Sequence, residues 1–535
     1  MSDLTSDHLS SLDLDSSSEQ PAISSGLEVA RVEIGMNSAG GEACMVGDEA
    51  QLNSAILDSS CTAIALTQDI ELTEASTIMD KEELSLDGQG FTLSGQGNTQ
   101  CLFISNSKVF VKDITLSECS GFSSPGGGAI YSLNSELDLS KCHFQENKAA
   151  ASGGAIRIDG GKFSAKESIF QRNEGGNPGG ALYIDDAVAN LDKCTFKENK
   201  GLNGGAIYVA RGPIVVKDST FEKNVVAASG GAIFMSGSST FLKASFEKCT
   251  FDTNESGSGG AIYALGVDAN FDKCSFTKNK AVFGGAIYYN DQIPRPSSFE
   301  DSEIVDQLSI KDSEIVDQLT IKDSEIKDNT ASNFAGGIGI EIVNSKNKAF
   351  KATLIRVKIT GNKQEGAVKE NAGAGINLSF DPFDVNDPTV IDANLVGCIF
   401  SDNTDSNAES SDLWYDSRII LNAFSTCAEG FFADGKGELA CFEFEGPGPG
   451  LLCTPALPAD LSGKCDKCEN GLRSCCGATE CVDDPEPCDL VFQELTCPSP
   501  KGKSGDEFDQ EKDKENNYKK KIRGPRGMRR GGPRA

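Results

Sequence analysis

The sequence predicts an all-β fold: a right-handed parallel β-helix of about 10–11 coils, followed by a small Cys-rich module and a disordered tail. Three observations carry that prediction. A Gly-Gly-Ala-Ile-Tyr-like string begins at Gly127, Gly153, Gly179, Gly204, Gly230, Gly259 and Gly284, in steps of 26, 26, 25, 26, 29 and 25 residues. A second marker, Phe-x-x-Asn, interleaves with it at Phe144/Asn147, Phe170/Asn173, Phe196/Asn199, Phe221/Asn224, Phe251/Asn254 and Phe276/Asn279. Between the markers, short segments such as Ile156-Arg157-Ile158 and Phe163-Ser164-Ala165 alternate in polarity, which is the period of a strand. Helical repeats run to about 33–47 residues and need Leu/Ala-rich amphipathic stretches, which are missing. Three short strands and three turns fit a step of about 25 residues, and successive coils then stack equivalent residues at ~4.8 Å.

Each element follows in chain order. Residues 1–43 are polar, acidic and aperiodic, the composition of a disordered segment. The β-helix occupies 44–425. It opens with a short amphipathic helix over Asp48–Ile56, Asp48 serving as its cap, that covers the first open edge of the solenoid. Cys44 and Cys61 flank this helix and are the candidate bridge there. The first coils lack Gly-Gly but keep the strand rhythm in Ile64-Ala65-Leu66, Leu84-Ser85-Leu86 and Val109-Phe110-Val111. In the repeats, the Phe residues form an inner column. Cys142, Cys194, Cys249, Cys274 and Cys398, two before that column, are small buried hydrophobes that need no partner. The Asn after each Phe takes a left-handed bend and bonds its neighbours above and below. The Gly pair turns the chain where a Cβ would meet the next coil.

Weaker copies follow at Gly336-Gly337-Ile338 and Gly373-Ala374-Gly375-Ile376, with Ile326/Asn329, Ile359/Asn362 and Phe400/Asn403 as partners. An 11-residue tandem at 301–311 and 312–322 either wraps as a short extra coil or loops out. Insertions widen the spacing after Gly230, Gly336 and Gly373, so 340–395 is expected to be the least regular part. Residues 426–497 form the Cys-rich module, with ten of the 19 cysteines between 427 and 497, the density of a disulfide scaffold. Cys465-x-x-Cys468 lacks a second such pair and a nearby His, so disulfides are favoured over zinc. Residues 498–535 are a charged tail, ending in eight basic residues from Lys519 to Arg534.

The alternation of Gly-Gly-Ala-Ile with Phe-x-x-Asn over roughly 114–403 resembles the repeats of the polymorphic outer-membrane protein family. That resemblance implies a β-helical surface protein or adhesin of the pectin-lyase-like type. Met1–Gln20 is Ser/Asp-rich and the last residues are a Gly/Pro/Arg tail, so neither segment is expected to act as the family's leader peptide or terminal membrane barrel.

Composition narrows the chemistry. A net charge of −31 excludes nucleic-acid binding by the β-helix body, and no apolar run is long enough for a transmembrane helix. Two His leave little room for His-based catalysis or zinc. The Cys-rich module belongs to an oxidising compartment, so the protein is placed outside the cell or in its envelope. Its expected function is non-enzymatic, with a glycan or surface protein bound along an exposed face; no feature sets an oligomeric state.

The binding candidates share one phase, four after each Gly-Gly start: Tyr131, Arg157, Tyr183, Tyr208, Phe234, Tyr263 and Tyr288. Ile130, Ile156, Leu182, Ile207, Ile233, Ile262 and Ile287 alternate with them and point inward, whereas Arg157 argues that the row faces out. The expectation is a platform of aromatic faces with Arg157 stacked among them. The alternative is a polysaccharide lyase, hydrolase or epimerase working through Arg157, Asp159 and Asp185. No cofactor is required, and calcium is the ion that the stacked Asp159 and Asp185 would attract. Asp381-Pro382-Phe383-Asp384 is similar to the Asp-Pro-His-Asp string of uronan epimerases, with Phe383 in place of the base. Asn254 and Asn377 begin glycosylation sequons.

Overall fold

The computed structural model describes residues 43–121, 126–237, 242–290, 317–343, 350–366, 373–381 and 391–406. It adds short strands at Leu413–Tyr415, Ile419–Phe424, Cys427–Ala428, Phe431–Ala433 and Leu452–Cys453. Residues 1–42, the rest of the Cys-rich module and the tail lie outside the described residues.

Alternating sequence, cut every few residues by turn residues, produces a right-handed parallel β-solenoid. A regular coil has a long strand such as Ile130–Ser140, a three-residue strand such as His143–Gln145 and a two-residue strand such as Lys148–Ala149. Stacked coil on coil, these make a 24-stranded sheet, a 14-stranded sheet, and a third face of five and three strands joined by bridges at Glu255. Register is strict: Ile130 pairs with Ile156, then Leu182, Ile207, Ile233, Ile262 and Ile287. A one-residue slip would turn every apolar side chain outward, so burial itself fixes the stacking.

The interior consists of columns. Phe144, Phe170, Phe196, Phe221, Phe251 and Phe276 are fully buried, with adjacent ring centroids 4.7–4.9 Å apart and planes within 8°. Nine asparagines from Asn147 to Asn403 form a second column, each with 0% exposure. The Asn147 backbone N–H and Nδ2 both donate to Asn173 Oδ1, at 3.1 and 3.0 Å, and Asn173 Nδ2 donates to the Phe144 carbonyl at 3.0 Å. The pattern repeats to Asn403 and satisfies turn groups that would otherwise be buried without partners. Cys142, Cys194, Cys249, Cys274 and Cys398 are buried free thiols, as the sequence predicts. Where Ser168, Ser219 and Ser324 replace Cys in this column, each hydroxyl accepts from the backbone N–H of the Cys one coil earlier.

One expectation is corrected. The left-handed residue is the one before each Asn, with φ of 56° at Glu146, 53° at Arg172, 57° at Glu198 and 55° at Lys223. A bend there puts a charged side chain in solvent and leaves the Asn amide inside, where the next coil uses it. The Gly pair divides the two duties assigned to it. Gly153 has φ 68°, and a Cβ on Gly154 would lie 2.1 Å from the Gly180 carbonyl oxygen. Asn254 and Asn377 are fully buried, so the folded chain offers neither sequon for modification.

At the N-terminus, helix Glu49–Leu57 buries Leu52 and Ile56, and Asp48 accepts from the Gln51 N–H at 2.8 Å. Glu49 ties the helix to the coils below by accepting from Thr73 and Glu74. The Cys44–Cys61 bridge is present, with Cα atoms 6.1 Å apart, and a second bridge, Cys101–Cys119, closes within one coil, with Cα atoms 5.5 Å apart. Of the tandem, Asp317–Lys322 in the second copy wraps into the ladder between Val267–Asp272 and Phe350–Ile355; the first copy lies outside the described residues. The insertions at 344–349, 367–372 and 382–390 also lie outside them, and the last of these takes in Phe383 and Asp384. The flanking strands keep register, with Phe350–Ile355 paired residue for residue to Ile391–Val396. Parallel pairing continues through Phe431–Ala433.

Candidate functional site

Strand alternation that sends Ile130 and its equivalents inward sends the next residue outward. Tyr131, Arg157, Tyr183, Tyr208, Phe234, Tyr263 and Tyr288 therefore stand in one continuous register on the large sheet. Side chains from Tyr131 to Tyr263 are half-buried, whereas Tyr288 is buried. The row begins one coil earlier than the Gly-Gly marker reveals, at Phe103, whose ring centroid is 5.4 Å from that of Tyr131.

The row does not present aromatic faces. Tyr183, Tyr208, Phe234 and Tyr263 lie flat on one another, with centroids 5.5, 4.9 and 4.9 Å apart and planes within 7°. The strand spacing that aligns the residues also lets each ring cover its neighbour, so ring edges and hydroxyls meet solvent. This corrects the expected platform. The groups on offer are hydrogen-bonding tips.

The two ends of the row differ. At the N-terminal end the Arg157 guanidinium stacks 4.7 Å from the Tyr183 centroid and 5.9 Å from that of Tyr131. Asp159 Oδ2 accepts from Arg157 Nε at 2.8 Å and from the Tyr131 hydroxyl at 3.0 Å. Asp185, the register partner of Asp159, accepts from Nε and Nη2 of Arg211, at 2.6 and 2.9 Å. At the C-terminal end the Tyr288 hydroxyl donates to Glu341, and Asn290 donates to the same carboxylate at 3.1 Å. The Tyr288 ring is flanked by Phe283 and Phe334. Gly339, which follows Tyr288 in register, leaves space that the Phe334 ring approaches: a Cβ there would come within 2.9 Å of it.

Burial, followed by the neighbouring Asp159 carboxylate, pushes the Tyr131 hydroxyl up to about 12. Burial, then Glu341, does the same at Tyr263, to about 12. Burial and then Asp185 raise Tyr183 and Tyr208. The hydroxyls therefore stay protonated and remain donors at neutral pH.

This geometry bears on the catalytic and calcium expectations. Arg157, Asp159 and Asp185 do lie together, and each carboxylate is bonded to a guanidinium, while Asp159 Oδ1 is buried without a hydrogen-bond partner. Among the described residues no group of three or more His, Cys, Asp or Glu is placed to hold a metal ion. No helix there is long and apolar enough to cross a membrane. A cleft between the other two faces is lined by Glu146, Arg172, Lys148 and Glu174, which pair with one another across coils at 2.8 and 3.5 Å. Sequence reasoning missed Arg211 and Phe334, which come from a turn and a strand outside the repeat phase, and Glu341, which shares the register column of Asn290 in a weaker copy of the repeat; Phe103 had only the strand rhythm to mark it.

The molecule is thus a repeat solenoid whose interior is occupied by packing columns and whose available chemistry lies outside. A family model for the right-handed beta helix region matches residues 70–241 and 180–411, and the chain belongs to that family. Its sequence finds no match among curated proteins. Among solved structures, it is similar to tailspike protein 3 of bacteriophage CBA120, with TM-score 0.37 and 9% identity over 70% of this chain. The chain spans 58% of that tailspike. It is also similar to the SRRP of L. reuteri 53608, with TM-score 0.22 and 12% identity over 73% of this chain and 98% of that one.

Proposed function

We propose that this is a non-enzymatic β-helix protein, secreted or surface-exposed and adhesin-like, that binds a glycan or a partner protein along the outer row from Tyr131 to Tyr263. The observation that carries this reading is a row of half-buried rings stacked at coil spacing, with neutral hydroxyls on Tyr183, Tyr208 and Tyr263, beside the Arg157–Asp159 pair. Such a line matches an extended ligand rich in hydroxyl and carbonyl acceptors, the chemistry of a glycan chain. Two disulfides in the first coils support an oxidising compartment. The likeness of the repeats to those of polymorphic outer-membrane proteins points the same way. The test is a glycan array probed with wild type and with the triple variant Tyr183→Ser, Tyr208→Ser, Tyr263→Ser. Saccharide binding lost in a variant that still melts cooperatively is the expected result. Equal binding by both proteins would contradict it, and a wild type that captures a surface protein and no saccharide would assign the row to a protein partner.

A further inference from the structure

Thiols and hydroxyls alternate along the inner column that precedes the phenylalanines, in the order Cys142, Ser168, Cys194, Ser219, Cys249. Ser168 and Ser219 keep the first three thiols apart, and Val357 stands before Cys398. Among the described residues two thiols meet at one place, where Cys274 follows Cys249 in the very next coil. The register fixes that stacking on both sides, since Glu247 pairs with Asp272 and Thr250 with Ser275. Nearby ring pairs show the spacing of these two coils: Phe246 and Phe271 lie 4.9 Å apart, and Phe251 and Phe276 4.7 Å.

We propose that Cys249 and Cys274 form a disulfide between adjacent coils when the chain folds under oxidising conditions. Stacked residues of neighbouring parallel strands have Cα atoms about 4.8 Å apart, inside the range of about 4.4–6.8 Å that a disulfide spans. Cys142 and Cys194 are two coils apart, about 9–10 Å, and beyond that range. Cysteines of this column direct their sulfur toward the preceding coil. Cys274 Sγ donates to the Phe246 carbonyl at 3.5 Å and so already faces the coil of Cys249, while Cys249 Sγ donates to the Val216 carbonyl at 3.5 Å. Rotation of the Cys249 side chain about Cα–Cβ brings the two sulfurs together.

The finished core is a poor place for the reaction. Both cysteines are buried, and the Cys249 thiol, followed by burial, holds the Cys274 thiol above its ordinary range, whereas a thiolate is the species that attacks. Oxidation therefore belongs to folding, while the coils are still open to a small disulfide such as oxidised glutathione. One cysteine thiolate attacks oxidised glutathione, forms a mixed disulfide and releases one reduced glutathione. The other thiolate then attacks the cysteine sulfur of that mixed disulfide, the protein S–S bond forms, and the second glutathione leaves reduced. The two thiols lose two electrons and two protons, and one oxidised glutathione becomes two reduced ones.

The full chain is refolded in a glutathione redox buffer, denatured without reductant, alkylated and digested with trypsin. Cleavage after Lys248, Lys273 and Lys278 puts the two cysteines in separate peptides that mass spectrometry can identify. A linked pair 249–273 and 274–278 that separates on reduction is expected, while Cys142, Cys194 and Cys398 carry the alkyl label. Alkylation of both Cys249 and Cys274, or a link from either to a different cysteine, overturns the proposal. Cys249→Ser gives a second reading, because serine already occupies this column at 168, 219 and 324. Cys274 of that variant should be fully alkylated. A disulfide from it to some other cysteine would mean that stacking does not choose its partner, and would overturn the assignment.

Discussion

Phe170 and Phe196 stack 4.7 Å apart inside the solenoid, and Tyr208 and Phe234 stack 4.9 Å apart on its outer face. Spacing and plane angles barely distinguish the two columns, because strand separation imposes both. Stacking alone is therefore no sign of a binding site. The surroundings differ. The inner rings have 0% exposure beside an asparagine ladder whose amides are all used within the chain. The outer rings are half-buried, and so are the polar neighbours Arg157, Asp159 and Asp185, which lie on the outer face with Arg211.

The sharpest contrast should come from Asn199→Ala. It leaves the Asn173 backbone N–H and one of the two N–H bonds of Asn173 Nδ2 without an acceptor inside the coil, and it takes the amide donor from the Phe170 carbonyl. At about 1–3 kcal/mol for each buried unsatisfied group, a loss of about 4 kcal/mol is expected in urea unfolding. A loss below about 1 kcal/mol would show that water or neighbouring groups take over the ladder.

Next in size is a matched pair. Phe196→Ala empties a fully buried site and should cost about 3–5 kcal/mol. Tyr208→Ser removes a half-buried ring and its stacking and should cost about 1–2 kcal/mol. Equal losses, measured by thermal unfolding of both variants, would erase the distinction between column and row.

Much of this contrast was legible beforehand. Two markers in fixed phase fixed the coil length and predicted the Phe, Cys and Asn columns, because a solenoid repeats its core in every turn. The outward phase of the Tyr row followed from Arg157 alone. Ring orientation did not follow, since period-two alternation gives the side of a sheet but no torsion angle about Cα–Cβ. The position of the left-handed bend was missed because Glu146, Arg172, Glu198 and Lys223 are not residue types that favour it. Arg211 was missed because the ion pair it makes with Asp185 spans two coils from a turn.

A smaller effect follows from the raised hydroxyls. Folded Tyr131 and Tyr263 hold their protons up to about 12, above the ordinary value of 10.0. Their contribution to stability is complete below pH 10 and is lost as pH rises through the window from about 10 to about 12. The melting temperature should fall across that window, and less steeply in Tyr263→Phe. Tyrosinate absorbance rising fully near pH 10 in the folded protein would contradict this.

Phe234 already occupies the row at the same 4.9 Å spacing as its tyrosine neighbours, so phenylalanine fits that stack. The triple variant Tyr183→Phe, Tyr208→Phe, Tyr263→Phe therefore removes three hydroxyls and keeps every ring. Its glycan-array signal beside that of wild type is the most direct measurement of whether the outer row serves recognition. Saccharide binding should be lost while the melting temperature stays within about 2 °C of wild type. Binding at full strength in a stably folded triple variant would mean that the outer row, like the inner column, only holds the coils together.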